Sequence, residues 1–183
     1  MDTWVWIVIV VAVLIVLGLV AWRMTTARRT GALKDTFGSE YDRTIERADS
    51  KRKAESELRE REDRHESFDI TPLAPGSRDR YARSWEQTQA RFVDDPEGAV
   101  GDADQLIQDV MRERGYPVDD FDQRAADLSV DHPDLVENYR TAHGIARKHV
   151  RGEADTEELR QALVHYRSLF DELLVSKTEV VES

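Results

Sequence analysis

The sequence predicts an all-α protein with an N-terminal transmembrane helix, a charged helical stalk, and a compact bundle of four helices plus a short one. Three observations predict this class. Residues 4–22 carry no charged side chain, and residues 23–66 are rich in charges at helical spacing. Residues 77–175 place apolar side chains at helical intervals between start and stop signals, without the alternation typical of strands.

Residues 4–22 have the length and composition of a membrane-spanning helix. At ~1.5 Å per residue they reach roughly 28 Å, close to the ~30 Å hydrocarbon thickness of a bilayer. Their Val, Ile and Leu side chains favour insertion by on the order of 4 to 8 kcal/mol. Trp4, Trp6 and Trp22 lie at the two ends, where indole rings prefer the headgroup region. We therefore expect a retained anchor after a short tail, residues 1–3.

A cleaved signal peptide is the alternative to an anchor. Such a peptide has a positively charged start, a shorter apolar core and a small-residue cleavage site. This sequence has Asp2 near its start, a longer core, and no Ala-x-Ala pattern at the exit. The retained anchor is therefore the preferred interpretation.

The flanks of the apolar run predict its orientation. Arg23, Arg28, Arg29 and Lys34 follow it, whereas Asp2 precedes it. The positive-inside rule then places the rest of the chain in the cytoplasm. These cations either only set the topology or also bind anionic lipid. Because the run holds one glycine, Gly18, and no Gly-x-x-x-Gly, homo-oligomerisation is not signalled.

Composition excludes several classes of function. The 183 residues include 26 Lys and Arg, 37 Asp and Glu, and no Cys, and the formal net charge is −11. An acidic chain lacks the basic surface that binds nucleic acid phosphates, so no nucleic acid partner is expected. Disulfides, thiolate metal sites and cysteine nucleophiles are impossible without cysteine.

Residues 23–66 are predicted to form a juxtamembrane basic segment and a charged helical stalk. Leu33, Phe37, Tyr41 and Ile45 recur every four residues and would form one apolar stripe. Oppositely charged pairs four residues apart continue to residue 64 and support a solvated helix. A lone charged stalk or a partly disordered spacer is favoured over a coiled coil, because no strict heptad is present.

Residues 67–76 contain two prolines and a glycine and are predicted to be a linker, with Phe68, Ile70 and Leu73 available to dock on the following domain. Residues 77–175 are the predicted helical domain, and residues 176–183 a flexible tail. The predicted helix boundaries in the domain are a cap at Ser77, a helix end near Asp94, a cap at Asp95 before Pro96, a stop at Gly115, a start at Asp119, a restart at residues 131–133, a stop at Gly152, and a capping box from Asp155 to Glu158.

No catalytic, cofactor-binding or metal-binding residue is predicted. The five histidines form no His-x-x-x-His or His-Glu-x-x-His motif; they are His65, His132, His143, His149 and His165. The acidic cluster at positions 119, 120 and 122 lacks the glycine and glutamate of a calcium loop and fits a helix start better. An aromatic set is interpreted as core rather than as a ligand pocket: Tyr81, Trp85, Phe92, Tyr116, Phe121, Tyr139, Tyr166 and Phe170.

Four segments resemble a family of small single-span bacterial proteins, labelled as membrane or secreted proteins, to which no activity is assigned. They are residues 92–96 (FVDDP), 114–117 (RGYP), 127–133 (DLSVDHP) and 166–174 (YRSLFDELL). The similarity spans roughly residues 77–174 and is looser in the anchor and stalk. It implies a location in the bacterial plasma membrane and assigns no role to any residue.

The resulting expectation is a membrane-anchored cytoplasmic interaction or scaffold module without enzymatic activity, held in the bilayer through residues 4–22 and bound to a protein partner. The first alternative is a small-molecule sensor or enzyme with a pocket where Tyr116, His132 and Tyr139 converge with carboxylates. The second is the same domain outside the membrane, with a role in the cell envelope.

Overall fold

The computed structural model describes residues 3–175; within α1 the side chains of residues 3, 5–11, 13, 15, 19–22, 25 and 26 are not described. Over the described residues the chain is all-α and contains no strand, which confirms the all-α part of the predicted fold class. The helices are α1 (Thr3–Arg47), α2 (Lys51–His65), α3 (Pro75–Arg91), α4 (Pro96–Arg114), α5 (Phe121–Asp131), α6 (Val136–Val150) and α7 (Thr156–Leu174).

The predicted membrane span, residues 4–22, has helical backbone within α1, and most of its side chains lie outside the described ones. In the part of the chain that the structure describes, no helix is long and apolar enough to cross a bilayer. The predicted flexible tail, residues 176–183, also lies outside the described residues.

The chain divides into two compact units, Met1–Leu58 and Arg59–Ser183. In the first unit the predicted apolar stripe is present: Leu33, Phe37 and Tyr41 are buried and Ile45 is half-buried. At Gly38 the backbone has φ 47° and ψ −123°, which interrupts α1 inside this stripe. A side chain is disfavoured at such a positive φ, so glycine suits the interruption.

A buried carboxylate lies at the start of α2. Glu55 Oε1 accepts hydrogen bonds from Thr30 Oγ1 at 2.8 Å and from Tyr41 Oη at 3.0 Å, and Lys51 Nζ lies 3.6 Å away. Burial and the bond to Glu55 raise the pKa of Tyr41 to about 12. The predicted stalk, residues 23–66, therefore contains buried polar contacts as well as solvated charges.

The second unit contains the helical bundle. Helix α7 packs against α6 and α4, α3 packs against α4, and the short α5 packs against α6. The core includes the stacked pair Trp85 and Phe170, whose ring centroids are 4.6 Å apart, together with fully buried Ile107, Leu128 and Leu169. Four longer helices and one short helix thus enclose a shared apolar core, which is the arrangement that the apolar spacing predicts.

The predicted linker, residues 67–76, is too long by two residues because α3 begins at Pro75; residues 67–74 form an extended segment within the second unit. Thr71 N donates to Arg114 O at 2.8 Å, and Leu73 is buried in the core cluster. Helix α3 begins at Pro75, and its cap position is Ala74, which makes no side-chain cap hydrogen bond, so the predicted cap at Ser77 is wrong by three residues. Proline suits the first turn because its missing N–H has no helical partner there.

Several other helix ends follow local capping chemistry. Asp95 caps α4 by accepting from Gly98 N, and α4 ends at Gly115 with φ 99°, both as predicted. The predicted capping box from Asp155 to Glu158 is present at the start of α7. The cap of α5 is Asp120, one residue later than the predicted Asp119.

Candidate functional site

The most connected polar cluster joins the end of α2 to α5; we call it the clasp, formed by Arg64, His65, Tyr116, Asp127 and Asp131. His65 Nε2 lies 2.7 Å from Asp131 Oδ2, and Tyr116 donates its hydroxyl hydrogen to the same oxygen. Arg64 Nε lies 3.2 Å from Asp127 Oδ1. Residues four apart share one face of a helix, so α5 presents both carboxylates to α2.

Burial and hydrogen bonding act in opposite directions on the two carboxylates of the clasp. Burial alone would raise the pKa of Asp131, but hydrogen bonds from His65 and Tyr116 outweigh it and lower this pKa to about 2. The side chain of Asp127 is fully buried, and this burial raises its pKa although Gln123 and Arg64 oppose the shift. Burial and the bond to Asp131 also raise the pKa of Tyr116.

The clasp has the elements of a proton-transfer dyad, an imidazole held by a carboxylate. Its geometry serves packing, however. The His65 ring lies edge-on to Phe68, with centroids 5.7 Å apart, and 6.2 Å from the Tyr116 ring. The imidazole of His65 and the hydroxyl of Tyr116 both bind the carboxylate of Asp131, so the dyad links α2, α5 and the segment after α4. The clasp therefore fastens residues 64–68 to the end of α5.

A second cluster lies inside the bundle; we call it the interior cluster, formed by Asp104, Arg124, Tyr139, His143 and Tyr166. Its members come from α4, α5, α6 and α7, and the two tyrosines are completely buried. Their ring centroids are 6.2 Å apart, and the Arg124 guanidinium lies 5.8 Å from the Tyr139 ring centroid. Burial raises the pKa of both tyrosines and lowers that of His143.

The third feature is an open groove on α6 of about 420 Å³. Among the described residues its lining is Thr141, Gly144, Ile145, Arg147, Lys148 and Arg151. We call this surface the α6 groove. It combines a small apolar floor with three cations, in a chain whose net charge is −11.

The histidines are distributed over the structure. His132 Nδ1 lies 3.5 Å from Glu172, His149 Nε2 lies 3.3 Å from Glu97, and His165 Nδ1 lies 3.0 Å from Asn138. The His143 ring stacks on Phe121 at 3.6 Å. Over the residues that the structure describes, no three metal-ligating side chains are grouped.

The structure also locates a residue of the predicted acidic cluster and the two tyrosines of the suggested pocket. Asp120 accepts from Gln123 N at 2.9 Å, so this carboxylate of the acidic cluster serves a helix start. Tyr116 belongs to the clasp and Tyr139 to the interior cluster. The structure therefore places these two tyrosines in different clusters.

Sequence reasoning missed the clasp as a unit. A signal was present: Arg61, Arg64 and His65 are spaced three and four residues apart on α2, and Asp127 and Asp131 are four apart on α5. Arg61 also donates to Ser129 at 3.4 Å. A cationic face and an acidic face of matching spacing predict docking only if the two helices are known to be neighbours.

Comparisons of the chain with protein-family models, with curated proteins and with solved structures gave no match.

Proposed function

We propose that this protein is a single-span protein of the bacterial plasma membrane whose acidic helical domain lies in the cytoplasm and acts as an interaction or scaffold module. The apolar run at residues 4–22 and the cations that follow it support the anchor and its orientation. The resemblance to single-span bacterial proteins supports the same location.

The α6 groove is the observation that carries the interaction role. Thr141, Gly144, Ile145 and Lys148 follow one another at spacings of three, one and three residues, so they form one face of α6. This face differs from the one formed by Val136, Tyr139 and Ala142, which is buried in the bundle. A Cβ added at Gly144 would meet no atom within 4 Å, so the floor of the groove is open.

Charge complementarity suggests the chemistry of the partner. Lys148 pairs with Glu158 at 3.0 Å and Arg151 pairs with Glu153 at 2.7 Å, whereas Arg147 has no ion pair with any described residue. Such exposed pairs contribute only ~0–1 kcal/mol, so a partner's carboxylates can replace them. We therefore propose that the groove binds an acidic segment of a protein with one or two apolar side chains facing Ile145.

Photo-crosslinking tests this interaction. A photo-reactive amino acid replaces Thr141 in the full chain, native membranes are irradiated, and mass spectrometry identifies the crosslinked peptide. We expect a reproducible acidic peptide, and more than tenfold less of it after Arg147→Glu with Arg151→Glu. The matched control is Arg160→Glu with Arg167→Glu, which makes the same change of charge on exposed positions of α7. Equal loss in both double variants, or crosslinks only to basic segments, would contradict the groove.

The absence of cysteine from the sequence gives a clean topology test. A single Glu153→Cys variant carries one thiol at an exposed position. We expect a membrane-impermeant maleimide to label it in lysed cells and to leave it unlabelled in intact cells. Labelling of intact cells would instead support the reversed topology with an envelope role. Deletion of residues 4–22 should release the chain from membranes washed with alkaline carbonate.

A further inference from the structure

The first unit brings together two basic runs that lie far apart in the sequence. Arg28 and Arg29 directly precede Thr30 in α1, and α2 begins at Lys51. The Thr30 hydroxyl donates to Glu55 Oε1 at 2.8 Å, and the Lys51 ammonium lies 3.6 Å from the same oxygen. The start of α2 therefore lies beside the arginines that precede Thr30.

The start of α2 is also held from a second side. Tyr41 donates its hydroxyl hydrogen to Glu55 Oε1 at 3.0 Å, and the Glu55 side chain is buried. Phe37 on α1 and Ala54 on α2 are fully buried in the same unit. Burial of apolar side chains on both helices stabilises this arrangement, so the two basic runs stay together.

Exposed cations of the two runs form one positively charged surface. We call it the basic patch, and its members are Arg28, Arg29, Lys51 and Arg52. The next cation along α2, Lys53, pairs with Asp49 at 2.8 Å and is not included. Lys51 offsets the charge of Glu55, so the excess positive charge comes from the arginines. Such a local excess attracts anions although the net charge of the whole chain is −11.

The backbone of α1 places the basic patch close to the proposed membrane surface. Thr30 follows Trp22, the last residue of the proposed span, by eight positions, so it lies ~12 Å farther along the helix axis. The headgroup layer occupies roughly the first 5–8 Å beyond the hydrocarbon core. The basic patch is therefore within one Debye length of the headgroups, which is ~10 Å at 0.1 M salt.

We propose that the basic patch binds the headgroups of anionic phospholipids in the leaflet next to it. The proposal rests on the proposed function, because only an anchored chain holds the patch at this height. A guanidinium matches a phosphate with two parallel hydrogen bonds, so arginines suit this ligand. Orientation of the span requires only the cations that flank it. The return of Arg52 to the level of Thr30 therefore favours lipid binding as a second role of these cations.

The lipid preference of the full chain tests the proposal. The chain is reconstituted in nanodiscs of phosphatidylcholine and phosphatidylglycerol, and electron paramagnetic resonance compares how strongly the two spin-labelled lipids associate with it. We expect a preference for phosphatidylglycerol that high salt weakens. Each of Arg28→Gln, Arg29→Gln and Arg52→Gln should lower this preference by up to roughly fivefold, since each removes one cation close to an anionic surface.

The matched control is Arg160→Gln with Arg167→Gln, which removes two exposed positive charges from α7 in the second unit. It should leave the lipid preference unchanged. Inorganic phosphate should compete no better than chloride at the same ionic strength, because the proposed ligand is a lipid. An equal loss in the control, an unchanged preference after Arg52→Gln, or specific competition by phosphate would overturn the proposal.

Extraction with alkaline carbonate separates this proposal from the anchor itself. If carbonate releases the full chain from membranes, the anchor is wrong and lipid binding by the basic patch is refuted with it. If the chain stays in the membrane and shows no preference for phosphatidylglycerol, only the basic patch proposal is wrong.

Discussion

Replacing Gly115 by alanine tests how the extended segment at residues 67–74 is held on the bundle. Gly115 ends α4 with φ 99°, a conformation in which a Cβ is disfavoured. The added Cβ would also lie 2.3 Å from Asp69 O, which is a backbone atom and cannot rotate away. Relief therefore requires movement of the extended segment.

The magnitude follows from these contacts. An L-residue held in an unfavourable positive-φ conformation costs about 1–3 kcal/mol. Movement of the extended segment also weakens the bond from Thr71 N to Arg114 O, which at 2.8 Å contributes about 0.5–1.5 kcal/mol. We therefore expect Gly115→Ala to lower the free energy of unfolding by about 2–4 kcal/mol.

Urea unfolding of the full chain, followed by circular dichroism at the helical minimum, measures this loss. Gly101→Ala is the matched control, because Gly101 lies inside α4 on an exposed face and a Cβ there meets no atom within 4 Å. It should raise stability by up to about 1 kcal/mol, since alanine favours helix over glycine. If Gly115→Ala unfolds at the same urea concentration as the unmodified chain, the proposed steric and backbone constraint is wrong.

Three further substitutions test separate contacts. Asp131→Asn should cost about 2 kcal/mol at neutral pH, because Asp131 has a pKa of about 2 in the folded chain against about 3.9 in an unfolded one. The stability from this lowered pKa is present above about pH 4 and is lost as the pH falls towards 2, so pH-dependent unfolding of the variant should be flatter there. Asp155→Ala removes the cap of α7 and should cost about 1 kcal/mol, seen as a lower thermal midpoint. Phe170→Ala removes the partner of Trp85 and should cost about 3–5 kcal/mol; denaturant titration checks this, and an unchanged midpoint would contradict the core assignment.

The helix ends that were predictable from the sequence depend on neighbouring residues. The cap at Asp95 with Pro96 and the capping box from Asp155 to Glu158 each act within one helical turn. Their chemistry is therefore contained in a few consecutive residues. The stop at Gly115 belongs to the same class.

The features that escaped prediction depend on distant residues. The cap position of α3 is Ala74 instead of the predicted Ser77, at the end of an extended segment that Thr71 holds to Arg114. The clasp pairs His65 with Asp131 across 66 positions. Periodicity reports which face of a helix is apolar, but it does not report which helices become neighbours.

The α6 groove could not be predicted from the sequence, because it too depends on which faces of the helix are covered by neighbours. Ile145 and Ala146 both fit an apolar helical face, and only the packing shows that Ile145 also lines the α6 groove. In the sequence alone, Arg147, Lys148 and Arg151 fit an ordinary solvated surface equally well.

Helices α6 and α7 differ in how the charged side chains on their outer faces are paired. On α7 the exposed charges pair within the helix, as in Arg160 with Glu157 and Arg167 with Asp171. Lys148 on α6 and Arg151 directly after it pair with carboxylates beyond the helix, while Arg147 has no ion pair among the described residues and Val150 is 86% exposed. Pairs within a helix form without any partner protein, so these charged side chains of α7 need no further binding partner. Basic and apolar groups together at the end of α6 would be paired and covered by an acidic segment with apolar side chains, and this difference is why we propose α6, not α7, as the partner-binding surface.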